Sequence, residues 1–156
     1  MRNDDVIQSI RYMLDLNDIE IANILKLRGY KPERGEVAHI FKSQDLPDDE
    51  KGEDCGHVLM AHFLDGLIYH KRGKSKKHPP RPIKTPVTNN MVLKKLRVAF
   101  KLREKDMHDT LEQGGFSISK HEMSALFRRK GHDNYRECGD QILRYFLKGL
   151  TERVRN

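Results

Sequence analysis

Two cysteines, eight histidines and thirty lysines and arginines are the residues of this 156-residue chain with chemistry to offer. Each cysteine opens the same phrase. Asp54-Cys55-Gly56 runs on to Phe63-Leu64-Asp65-Gly66-Leu67, and Glu137-Cys138-Gly139 runs on to Phe146-Leu147-Lys148-Gly149-Leu150. Paired thiols suggest a disulfide, a metal pair or a reactive nucleophile. Zinc takes four close nitrogen or sulfur ligands, and only His57 stands near Cys55, with no histidine in reach of Cys138 on its helix. A helix N-terminus lowers a thiol pKa, so reactivity stays open. Equivalent placement at two helix starts favours the plainer role, a small buried hydrophobe, with both thiols free in a reducing compartment.

The other constellations are read the same way. His57, His62 and His70, with His39 one helix earlier, are too few and too spread for a metal site, and the second phrase carries Tyr145 and Arg153 where the first has His62 and His70. Arg11 with Glu36 and Arg97 with Glu122 recur at matching places. One carboxylate per place does not make a facing acid–base pair, so these are expected to be structural ion pairs tying a first helix to a third. Gly114-Gly115 before Phe116-Ser117-Ile118-Ser119-Lys120 lacks the spacing and the preceding strand of a phosphate loop. No metal, no cofactor and no catalytic residue is implied, and a non-enzymatic protein is expected.

Basic residues carry more. Lys74, Lys76 and Lys77 lie in a middle segment, Lys94, Lys95 and Lys101 on or just after a first helix, and Lys120, Ser124, Arg128, Arg129 and Lys130 on a third. Such clusters attract phosphate backbones through counterion release. A second and third helix joined by about four residues containing Gly also have the proportions of a helix-turn-helix. Nucleic acid is therefore one expected partner. An acidic protein, or an apolar helical partner, is the alternative, since short helix pairs are generic and aromatic residues are not interleaved with the basic ones.

The elements that must hold these residues come from a repeat. Asn3 set on Asn89 carries Val6 onto Val92, Ile10 onto Leu96, Leu25 onto Leu111, Gly29 onto Gly115 and Phe41 onto Phe127, an offset of 86 without a gap. From Cys55 and Cys138 onward the offset is 83. The chain reads as a tandem duplication. Apolar spacing predicts helices near 4–15, 18–28, 33–43 and 55–71. In the second copy helices are expected from Asn89 or Asn90 as N-cap, over about 104–113, from the Ser119–Glu122 capping box to about Arg129, and from Cys138 or Gly139 to Val154. Gly114-Gly115 before Phe116 marks a helix stop. The expectation is all-α: two four-helix copies about an approximate internal two-fold, 1–72 and 89–156, with helix four as the seam. Four prolines in residues 79–86 make residues 73–88 a basic, extended linker.

With "NNMVLKKLRVAF", "RECGDQILRYFLKGL" and "FLDGLIYHKRGK", the chain resembles the YehS-like bacterial family of unknown function over nearly its whole length. The resemblance implies a cytoplasmic bacterial protein and brings no activity, cofactor or site residue with it.

Charge divides along the same lines. Residues 1–72 hold 10 Lys and Arg against 14 Asp and Glu, net −4; residues 73–88 hold 5 and none, net +5; residues 89–156 hold 15 against 9, net +6. No apolar run approaches the roughly 20 residues of a membrane span, and the acidic start does not look like a secretory signal. A cytoplasmic location is expected and no membrane partner. Oligomeric state is left open.

Overall fold

The computed structural model describes residues 1–75, 77 and 79–156, in which the chain is all-helical with no strand. It divides into two compact units, Met1–Val87 and Thr88–Asn156. Four α-helices lie in the first, α1 (Asn3–Leu14), α2 (Asp18–Lys26), α3 (Glu36–Lys42) and α4 (His57–Arg72), with a 3-10 turn at Asp48–Glu50. Four more lie in the second: α5 (Asn89–Ala99), α6 (Glu104–Gly114), α7 (Lys120–Ala125) and α8 (Asp140–Arg155).

Local chemistry sets most helix ends. Asn17 and Glu20 form a capping box on α2, as Ser119 and Glu122 do on α7. The N-cap of α5 is Thr88, whose Oγ1 accepts from the Met91 N–H at 3.2 Å, and not Asn89 or Asn90. Those two asparagines make longer-range bonds described below. At the end of α6, Gly115 takes φ +106° while the Phe116 N–H reaches the Leu111 carbonyl and the Gly115 N–H that of Glu112. Gly29 and Tyr30 repeat this motif after α2.

The third helices are shorter than their apolar pattern suggests. Gly35, at φ +82°, is the N-cap of α3, so positions 33–34 lie outside the helix. α7 stops at Ala125 instead of running on to Arg129. The reason is non-local: the Ala125 carbonyl accepts from the Arg136 N–H at 3.1 Å, and the Leu126 carbonyl from Asn90 Nδ2 at 2.9 Å. Both acceptors are thereby drawn away from a continuing helix.

The fourth helices fill each core. Leu59, Met60, Phe63, Leu64 and Leu67 are buried in the first unit, and Leu143, Phe146, Leu147 and Leu150 in the second. α4 packs on α2 and α8 on α6, inside their own units. The glycine of the repeated phrase explains how closely. A Cβ at Gly66 would fall within 3.0 Å of the Ile24 carbonyl, and one at Gly149 within 3.0 Å of the Thr110 carbonyl. Gly66 and Gly149 correspond at the 83-residue offset, Ile24 and Thr110 at 86. In each unit the phrase brings helix four against the backbone of helix two at one glycine.

Residues 73–87 belong to the first unit. Arg28 binds Asp65 at 2.9 Å and donates to the Arg81 carbonyl at 2.7 Å, and the Val87 N–H donates to His57 Nδ1 at 3.0 Å. No helix of the described residues is long and apolar enough to cross a membrane.

Candidate nucleic-acid interface

In the second unit α5 turns Val92, Leu93, Leu96 and Ala99 inward. That leaves Lys94 exposed and Lys95 half-buried. Lys101, exposed, follows α5 in the left-handed region at φ +54°, which lets the Leu102 N–H close on the Arg97 carbonyl. Lys120 opens α7 and is exposed. Arg128, Arg129 and Lys130 lie beyond α7, the first half-buried and the other two exposed. In the first unit, Lys74 has its Nζ 5.9 Å from the Tyr69 ring, and Lys77 is exposed; Lys76 lies outside the described residues.

The structure brings three of the expected residues around one cavity. Arg97, Ser124 and Arg128, with Glu104, Met123 and Phe127, line a space of about 320 Å³ between α5, α6 and α7. Ser124 Oγ donates to Glu104 at 3.1 Å.

The expected Arg–Glu pairs form with other partners. Arg11 pairs with Asp18 at 2.9 Å and lies 4.0 Å over the Phe41 ring, not against Glu36. Glu36 accepts instead from the Tyr30 hydroxyl at 2.8 Å and the Glu33 N–H. Burial first, and then that carboxylate, pushes the Tyr30 phenol up to about 12. Arg97 donates its Nε–H to the Leu102 carbonyl at 3.2 Å and lies 4.9 Å over Phe127. Glu122 caps α7 and pairs with Arg136 at 3.0 Å, and its carboxyl sits below the usual range, mainly through the Ser119 hydrogen bonds. The physical reason is the same in both copies. An aromatic ring in or just after the third helix takes the face of the first-helix guanidinium, while the carboxylate finds a local donor.

Cys55 and Cys138 are free thiols, Cys138 buried. Burial pushes the Cys138 thiol up to about 11, and burial followed by the Asp4 carboxylate pushes Cys55 higher still. This is the opposite of the activation a helix start offers. What matters at these positions is the backbone. Asn3 Nδ2 donates to the Cys55 carbonyl at 3.2 Å and Asn89 Nδ2 to the Cys138 carbonyl at 3.0 Å. The Cys55 N–H donates to Asp4 at 3.1 Å and the Cys138 N–H to Asn90 at 2.9 Å. These polar clamps escape sequence reasoning except for one signal, the matched Asn3 and Asn89 that open the repeat.

The histidines stay apart in role. His57 holds Val87, and His62 sits by Tyr30 with Nδ1 at the Val58 carbonyl. Asp4, Asp54 and Cys55 place three donor atoms within 4.8 Å of one another. Both Asp54 oxygens, however, accept N–H groups at the start of α1, at 2.7 and 2.8 Å, and Asp4 Oδ1 accepts from Cys55. The cluster caps a helix with the atoms a metal would take.

The fold defines an all-α protein with two helical units. The family model described as a protein of unknown function (DUF1456) matches residues 3–73 and again 89–156, and the chain belongs to that family. It is also 39% identical over 153 residues to the uncharacterized protein YehS of Escherichia coli (strain K12), covering 98% of this chain and 96% of that one. No solved structure matches it.

Proposed function

We propose that the protein is a cytoplasmic, non-enzymatic accessory factor that binds nucleic acid through its second repeat, 89–156, and the basic Pro-rich segment before it. The observation that carries this reading is the contrast at matched positions. Lys94, Lys101, Lys130 and Arg103 stand where the first repeat has Gln8, Asp15, Gln44 and Asn17. All four basic side chains are exposed. Phosphate contacts from such residues give affinity without sequence preference.

The short α7 bears on the mode. Six residues span roughly 9 Å at 1.5 Å per residue. That is little helix to lay along a major groove, so the reading is of backbone contact and not of base edges.

Anisotropy titrations with random duplex DNA and with structured RNA, each at two salt concentrations, test it. Binding should weaken steeply with salt, and each phosphate-binding side chain removed should flatten the log–log slope by about 0.9 for duplex DNA. Lys94, Lys95, Arg129 and Lys130 changed together to Glu should abolish binding with helical content unchanged. No duplex or RNA binding at low salt would end this reading in favour of an acidic protein partner.

A further inference from the structure

The charged residues lining the cavity between α5, α6 and α7 match Arg11, Asp18 and Lys42 of the first unit in sign, but they are paired differently. In the first unit Arg11, stacked on Phe41, is neutralised by Asp18 at 2.9 Å. In the second unit Glu104 stands at the position of Asp18, but it accepts from Ser124 instead. Among the described residues Arg97 makes one hydrogen bond, from its Nε–H to the Leu102 carbonyl.

Arg128 adds the second half of the observation. Its Nε is buried and, among the described residues, has no hydrogen-bond partner. A buried donor on a charged group without an acceptor is costly and calls for one. Arg2 Nε is also buried and unpartnered, but its guanidinium already meets Asp4 at 3.3 Å. Two guanidinium groups against one engaged carboxylate leave the second cavity net positive. Its volume of about 320 Å³ is at the small end of ligand sites, which run from about 300 Å³.

We propose that this cavity binds a phosphate monoester group, held between the guanidinium forks of Arg97 and Arg128. A guanidinium presents planar, paired donors that match phosphate oxygens, and two of them meet a dianion. Inorganic phosphate, a small phosphorylated metabolite and the 5′ end of a strand all carry this chemistry. The site does not depend on the exposed lysines, and the quadruple Glu variant leaves its lining residues in place.

The probe is inorganic phosphate, titrated into the full chain while the arginine Nε resonances are followed by NMR. A saturable shift at Arg128 is expected. Arg128→Met should weaken binding about tenfold or more, the loss of a charge-assisted pair of hydrogen bonds. Arg128→Lys, which keeps the charge without the fork, should weaken it too, with circular dichroism unchanged. Glu104→Gln should tighten binding severalfold, and Arg11→Met should leave it unaltered.

Competition names the source. Displacement of phosphate by a 5′-phosphorylated dinucleotide and not by its 5′-hydroxyl form points to a strand end. Displacement by neither points to a small ligand, and both outcomes support the site. Equal displacement by the two forms overturns the monoester assignment. A shift that never saturates, or survives Arg128→Met in folded protein, overturns the proposal whatever the duplex titrations show. Saturable phosphate binding without duplex or RNA binding would fail only the nucleic-acid reading.

Discussion

Gly149→Ala is the substitution whose sign separates close helix packing from ordinary helix propensity. In an open helix interior, glycine to alanine gains about 0.5–1 kcal/mol, because alanine loses less backbone entropy on folding. At Gly149 the new methyl would stand 2.9 Å from the Thr110 carbonyl carbon, closer still to its oxygen, and 3.0 Å from the Gly114 nitrogen. Ordinary van der Waals contact begins near 3.4 Å, so α8 and α6 must part by at least 0.5 Å, the difference between 3.4 and 2.9. None of the three atoms is a side-chain end able to swing aside. Overpacking of this kind costs about 1–3 kcal/mol and sometimes more, which outweighs the propensity gain. A unit of about 70 residues has roughly 3–10 kcal/mol in all, so the loss is a large share of it. Urea unfolding followed by circular dichroism should show the second unit's midpoint lowered by about 1 M, the middle of that cost less the propensity gain at a slope near 1 kcal/mol/M for so small a unit. Gly66→Ala should do the same to the first unit, where the Ile24 carbonyl carbon stands 3.0 Å away. A midpoint that stays put or rises in either variant refutes the account of why the phrase carries glycine.

Two further outcomes follow from the cysteine clamps. With the Cys138 thiol at about 11 and Cys55 above it, only about one Cys138 in a thousand is thiolate at pH 8, so Ellman's reagent should label the native protein far more slowly than the unfolded chain. Because both folded pKa values are raised, their contribution to stability is whole below the ordinary thiol value of 9.0 and is lost as pH rises through the folded values. The melting temperature should therefore fall from about pH 9 upward, and rapid stoichiometric labelling at pH 8 or a flat alkaline limb would contradict this. Asn90→Asp keeps the acceptor for the Cys138 N–H but removes the donors to the Leu126 and Arg136 carbonyls, at about 1–3 kcal/mol. Adding Lys94→Gln should restore about 1 kcal/mol of that in a double-mutant cycle, and strictly additive effects would dismiss the exchange.

What the sequence discloses about this fold depends on how far apart the deciding atoms are. The Ser119–Glu122 box and the stop at Gly115 are legible because donor, acceptor and backbone angle all lie within a few residues. The end of α7 is not, since it is decided by Arg136 and Asn90, 11 and 36 residues from the carbonyls they bind. Charge pattern alone likewise pairs Arg11 with Glu36 and Arg97 with Glu122. The rings of Phe41 and Phe127 stand in the repeat's apolar register and read as core, yet each also takes a guanidinium on its face. Arg97, Ser124 and Arg128 can each be singled out as basic or polar surface. That they meet around one cavity depends on how the segments that carry them come together in space, which no spacing along the chain encodes.

The two units differ in charge through a constraint they share. Each must supply an acceptor for the cysteine N–H and a donor for the carbonyl at the end of its third helix, Ile40 in one and Leu126 in the other. Asp4 accepts from Cys55, but an ionised carboxylate has no hydrogen to give. The donor in the first unit is therefore Gln8, one turn on, which reaches Ile40 at 2.7 Å and is 8% exposed. Asn90 carries both functions in one amide, accepting from Cys138 and donating to Leu126. The position one turn on is then released from the interior, and the second copy has an exposed lysine there, Lys94. A single change of carboxylate to amide at the start of helix one thus removes a charge from the clamp and frees the next turn to carry the opposite one. The exposed lysine at position 94 has this one structural precondition, and it lies at a half-buried asparagine bonded within its own unit.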